Sequence, residues 1–286
     1  MLDRSVESGS ASPARRSTGE SLREYGRGVA GGLLFSLPLL YTAELWQTGF
    51  AMPVGRMLAL VFLTLLLLLG YNRYAGLRQD SSWIEVVIDS IEEMGLGLIL
   101  STFILYLLNR IGPEQPVHEI VGQIVVAAMT VAIGVSVGTA QLGGEESDAG
   151  KSGEIAVTLG GRLVLAWCGA VLFAANIAPT EEVLLLGAEM SPLRLMALAG
   201  LSIALGAVIL YSSDFRGSQG WAKAGGLGAV LQGTVITYAV ALLASAAMLW
   251  TFGRLDGATL PTIAGEVVVL GLAGTLGASA GRLLLQ

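Results

Sequence analysis

The chain has 286 residues, of which 53% are hydrophobic and only 13% charged, and its formal net charge is −6. A soluble globular chain carries about 25% charged residues, so most of this one belongs in lipid. Its acidic balance argues against a nucleic-acid partner, which asks for a basic surface. The single cysteine, Cys168, excludes an internal disulfide or a cysteine metal cluster and reads as a small core residue.

Residues 1–24 are rich in Ser, Arg and Glu without apolar periodicity, which is the pattern of a disordered cytoplasmic tail. Arg15-Arg16 lacks the apolar stretch of a twin-arginine signal, and the first apolar run has no small-residue cleavage site, so that run reads as a retained helix. Eight segments are apolar enough to cross a core of about 30 Å, which takes about 20 helical residues. They are 28–47, 54–72, 83–109, 118–141, 160–178, 191–212, 226–251 and 261–284. Turn residues separate them, as at Met52-Pro53, Gly112-Pro113, Ala178-Pro179 and Ser191-Pro192. The long polar stretch is the linker 143–159.

The second half matches the first in the same direction. Aligning 28–141 with 166–286 brings Phe35, Thr42 and Glu44 onto Phe173, Thr180 and Glu182, and Arg56 onto Arg194. Gly122-Gln-Ile-Val-Val reads against Gly265-Glu-Val-Val-Val, and Gly134, Ser136 and Gly138 against Gly277, Ser279 and Gly281. With the N-terminus inside, 12 of the 16 Lys and Arg residues fall on the cytoplasmic side, and only Arg56, Arg110, Arg194 and Arg254 fall outside. The sequence therefore predicts an all-α membrane protein of the inner (plasma) membrane with both termini cytoplasmic. Its eight transmembrane helices form two parallel four-helix repeats, 25–142 and 160–286, about a pseudo-two-fold axis along the membrane normal. The paired small residues predict that the fourth and eighth spans pack closely, either centrally or against equivalent partners.

Carboxylates are the groups able to carry chemistry. Glu44 and Glu182 sit at matched outer positions, and Glu266 lies deeper in the last span, with Gln123 as its counterpart. A carboxylate inside a bilayer costs roughly 2.5–3.5 kcal/mol even on the lenient insertion scale, so it is expected to face a cavity or a partner. Grouped by symmetry, these acids would ring an outer mouth that draws cations. The alternative is solvation at the headgroups or pairing with Arg56 and Arg194. On the inner half, Glu85, Asp89, Glu92 and Glu93 share one face of the third span. The run from Met94 to Asn109 covers about 24 Å, which places Glu92 and Glu93 inside the hydrocarbon boundary. A Glu85–Lys223 pair is a further option, and an ordinary acidic helix start is the alternative for the whole stripe. Pro38 removes a backbone donor in the first span and has the polar Asn176 as its repeat counterpart in the fifth, a pair that would either expose backbone carbonyls to a substrate or mark a packing kink. His118 reads as an exposed loop residue, and Arg110 and Arg254 as residues snorkelling to the headgroups.

No H-E-x-x-H, G-x-S-x-G or G-x-x-x-x-G-K motif is present, so no enzymatic activity and no cofactor are expected. The stretches GGLLFSLPLLYTAELW at 31–46 and SSWIEVVIDSIEEMGLG at 81–97 resemble an uncharacterised family of prokaryotic multi-spanning integral membrane proteins. That resemblance implies the class and no activity. Phe35-Ser36 is followed by Leu37, which departs from the Phe-Ser-Asp signature of small bacterial potassium channels. The leading expectation is a cation or proton-coupled channel or transporter using Glu44, Glu182, Glu266, Gln123, Asp89, Glu92 and Glu93, in a lipid bilayer and as a monomer or an oligomer. The alternatives are a non-transporting scaffold, sensor or complex subunit, and a carrier of an apolar molecule.

Overall fold

A computed structural model describes residues 18–75, 82–141, 159–217 and 222–283. The sequence assignments for the tail up to residue 17, for the linker over 142–158 and for the Lys223 side chain lie outside these residues. The described chain is helical throughout, without a strand: α1 (Thr18–Leu40), α2 (Ala43–Ala51), α3 (Val54–Ala75), α4 (Trp83–Leu107), α5 (Val117–Gln141), α6 (Leu159–Ile177), α7 (Glu181–Glu189), α8 (Pro192–Gly217), α9 (Ala222–Thr251) and α10 (Leu260–Leu283). Seven of these are long and apolar enough to cross a membrane, and an eighth span results if Tyr25–Leu40 is joined to α2.

The first span corrects the sequence reading at both ends. Helix begins at Thr18, so the last residues assigned to the tail are helical. The expected continuous helix over 28–47 instead breaks after Leu40, and α2 departs at 84° to the preceding helix. Pro38 weakens the last turn of α1. Thr42 then takes an extended conformation (φ −91°, ψ 136°), and its hydroxyl donates to the Leu39 carbonyl at 2.8 Å. After α6 the same happens: Thr180 is extended (φ −75°, ψ 150°) and its hydroxyl donates to the Ile177 carbonyl at 2.8 Å, turning the chain into α7. Further along, α4 and α9 end on the left-handed residues Asn109 (φ 56°) and Gly253 (φ 73°).

Packing is organised around two helices. α5 touches α1, α2, α3 and α4, while α10 touches α6, α7, α8 and α9. The contacts are backbone-close because of glycine. A Cβ on Gly31 would lie 2.3 Å from the Gly138 Cα, and one on Gly277 would lie 2.2 Å from the Gly169 carbonyl oxygen. Hydrophobicity cannot drive helices together in lipid, so such close faces supply the van der Waals contact that does. The small residues thus act as the sequence predicted, joining α5 to α1 and α10 to α6. α6 is the seam of the molecule, since it also packs on α1, α3 and α5.

Candidate functional site

At one end of the bundle the short helices α2 and α7 each press a glycine onto a polar side chain of a central helix. Gly49 of α2 abuts Gln123 of α5, where a Cβ on Gly49 would lie 2.6 Å from both the Gln123 Cα and its backbone nitrogen. Gly187 of α7 abuts Glu266 of α10, with a Cβ position 2.7 Å from the Glu266 Cγ and from its backbone nitrogen. In the reverse direction, a Cβ on Gly122 or Gly265 would strike the carbonyl oxygen of Gly49 or Gly187, at 2.0 and 2.3 Å. The result is complete enclosure: Glu266 is 0% exposed and Gln123 1%. Both carboxylate oxygens of Glu266, and both the nitrogen and the oxygen of the Gln123 amide, lack a hydrogen-bond partner. An ionised carboxylate in such a place is costly unless a cation joins it. The site can therefore take up a proton or a cation. Arg254 is the cation that acts electrostatically on Glu266, and its guanidinium donates to the Pro179 carbonyl just ahead of α7. Its counterpart in the sequence match, Arg110, stacks over the Trp46 ring at 4.2 Å.

Toward the opposite end lies a polar cluster among α3, α4 and α5. The Asn72 amide nitrogen donates to Glu93 Oε2 at 2.8 Å and to Ser90 Oγ at 3.1 Å, while Asn72 Oδ1 accepts from Ser136 Oγ at 3.1 Å. The Ser90 hydroxyl in turn donates to the Val86 carbonyl at 2.7 Å. All four side chains are buried. The sequence placed Glu93 inside the membrane, and it is enclosed, but Asn72 and Ser90 were missed. One signal was available for Ser90, which stands three residues before Glu93 and so shares its helix face.

The remaining acids separate. Glu85 serves the start of α4, closing a capping box with Ser82, as the acidic-helix-start alternative held. Glu92 is exposed and accepts from the Tyr25 hydroxyl at 3.4 Å, and Asp89 is half-buried. Glu44 is the second residue of α2 and half-buried, so it does not end a spanning helix; Glu182 is exposed in the first turn of α7. Arg56 pairs at 2.5 Å with Asp256, beside the Trp250 ring. That hydrogen bond and charge hold the Asp256 carboxyl below its ordinary range. His118 is exposed, as read, but it is the second residue of α5 and not part of a loop. Two partly open cavities of about 20 Å³ each are lined by residues such as Leu60, Met129 and Met248, or Phe35, Tyr71 and Phe173, and neither is lined by an acid.

Asn176 on α6 repairs α1. Its amide nitrogen donates to the Phe35 carbonyl at 3.0 Å, and its oxygen accepts from the Leu39 backbone N–H at 3.2 Å. These are the two groups that an intact helical turn would have joined. A side chain of the other half thus bonds the backbone on either side of Pro38, where the sequence reading had offered exposure to a substrate or a packing kink.

No curated protein and no solved structure matches the chain. A family model does match, over residues 24–285, and it describes integral membrane proteins of unknown function under the designation DUF2391. With apolar helices throughout and a match across nearly the whole hydrophobic region, the chain belongs to the DUF2391 family of integral membrane proteins.

Proposed function

We propose that this protein moves a cation or a proton across the membrane, as a channel or a carrier, and that Glu266 is the group that takes up the charge. The observation that carries this reading is the Glu266 carboxyl, fully enclosed and with neither oxygen hydrogen-bonded. A structural acid is expected to have found a donor, as buried polar groups generally do. The reading is of a non-enzymatic protein of the inner (plasma) membrane, with both termini cytoplasmic and α2 and α7 on the outer side.

The scaffold is best understood as a parallel duplication, α1–α5 against α6–α10, about an axis along the membrane normal. Supporting it are the paired Thr42 and Thr180 turns, the left-handed Asn109 and Gly253 caps, and the Gly49–Gln123 and Gly187–Glu266 contacts. The join departs from strict two-fold symmetry: α6 is enclosed by α1, α3 and α5, whereas α1 keeps an exposed face with Leu34 at 69%.

A second reading, a scaffold or subunit without transport, draws support from the hydrogen-bonded state of Glu93 and from the absence of acids around the two cavities. Ion flux separates the two. Liposomes holding the wild-type protein should pass protons or a cation, Glu266→Gln should abolish that flux, and Glu92→Gln/Glu93→Gln should reduce it. Equal leak in empty, wild-type and variant liposomes would leave the scaffold reading.

A further inference from the structure

The Glu266 site is narrower in what it can hold than the word cation suggests. A metal ion taken from water needs several oxygen ligands at about 2.3–2.6 Å, or about 2.1 Å for the smallest. Among the described residues, no hydroxyl or amide side chain hydrogen-bonds to either Glu266 oxygen. No group of three or more acidic, histidine or cysteine side chains forms a metal cage there or elsewhere among them. The approach of Gly187 to the Glu266 Cγ and backbone also leaves no gap on that side for a hydrated ion. A proton needs no cage, because it binds one oxygen and leaves a neutral acid that an apolar pocket tolerates.

We infer that Glu266 is a proton-binding site, one per chain, covered by α7, and that Gln123 beneath α2 is its non-titrating twin. This rests on the transport reading above for its purpose, though not for its geometry. The charged group that acts on the site is Arg254, just beyond α9, while the α7 carboxylates Glu181, Glu182 and Glu189 are exposed. The twin gives the inference a second handle. Gln123 is as enclosed as Glu266, equally unpartnered, and pressed by the same kind of glycine contact. A glutamate placed there enters the same kind of pocket, so it should carry a proton too.

The experiment is infrared difference spectroscopy of the full-length protein in lipid at neutral pH, reading the carbonyl band of protonated carboxyls and its shift in heavy water. Wild type should show the band, Glu266→Gln should lose it, and Gln123→Glu should show about twice the wild-type amplitude. The band should persist when Na⁺, K⁺, Mg²⁺ or Ca²⁺ is added in turn. A carboxylate signal at Glu266 in place of the band, or loss of the band on adding one of these ions, would overturn the proton assignment. A Gln123→Glu protein that gains only carboxylate signal would overturn the equivalence of the two pockets. Liposome flux without the band would retire the proton site and leave transport standing; the band without flux would do the reverse.

Discussion

Two buried carboxyls, Glu93 and Glu266, stand in opposite circumstances. Glu93 is held by the amide of Asn72, which also engages Ser90 and Ser136, so three helices converge on a hydrogen-bonded knot. Glu266 is more deeply enclosed and has no hydrogen-bond partner at all. Polar groups buried with their bonds made rigidify a bundle, whereas one buried without them is a liability unless its protonation or ligation is put to use. The contrast teaches that depth alone does not mark a working acid in a membrane. On the function proposed for Glu266, the state of its lone pairs does.

Several substitutions would break or sharpen this contrast. The largest effect is expected from Asn72→Leu, which removes three hydrogen bonds from the buried cluster with Glu93, Ser90 and Ser136, at about 1–3 kcal/mol for each buried group left without that bond. Denaturant unfolding in detergent would measure it, and a loss under about 1 kcal/mol would mean that the knot does not hold α3 to α4 and α5. Asn176→Leu removes the bonds to the Phe35 carbonyl and the Leu39 N–H, and should cost about 2–3 kcal/mol in the same assay. Gly187→Ala drives a methyl group into Glu266 and its backbone, for about 1–3 kcal/mol of overpacking. Glu266→Gln should change stability by less than about 1.5 kcal/mol, since it is isosteric and Gln123 already occupies the twin position. Its effect should appear in flux instead. If Glu266→Gln proved as destabilising as Asn72→Leu, the two acids would be alike after all.

The smallest effect concerns Asp256, an exposed carboxyl held below its usual range by Arg56. A depressed folded-state value contributes stability above the unfolded carboxyl's pKa of about 4 and loses it as pH falls through the folded value. A thermal-shift series through that acid range should therefore show a slightly steeper decline for wild type than for Asp256→Asn.

Much of this was legible beforehand. Seven of the eight apolar windows became helices within a few residues of their expected bounds, because about 20 apolar residues in a row have few alternatives in lipid. The small residues of the fourth and eighth spans found the close contacts they announced, at Gly31–Gly138 and Gly169–Gly277. What escaped was the bend at Tyr41–Thr42 and the existence of α2 and α7. Hydropathy runs unbroken through residues 28–47, and the break becomes tolerable only because Asn176 arrives from elsewhere in the chain. A nine-residue helix such as α7 is likewise too short for a spanning window to register. Glu266 was marked by its depth, but its isolation was not readable. That depends on Gly187, nearly 80 positions away, closing over it.

The Asn176 bridge also bears on how the protein is made. When α1 enters the membrane before α6 exists, the Phe35 carbonyl and the Leu39 N–H beside Pro38 lack the Asn176 amide that bonds them, and backbone groups left unpaired in lipid cost several kcal/mol each. The remedy lies 137 positions downstream of Leu39, beyond four further helices. Until the ribosome delivers α6, the first half is held in a state that favours water, lipid headgroups or the translocation machinery as a temporary partner. Synthesis of the two halves as one polypeptide keeps that interval short, and a first half expressed alone would live in it permanently.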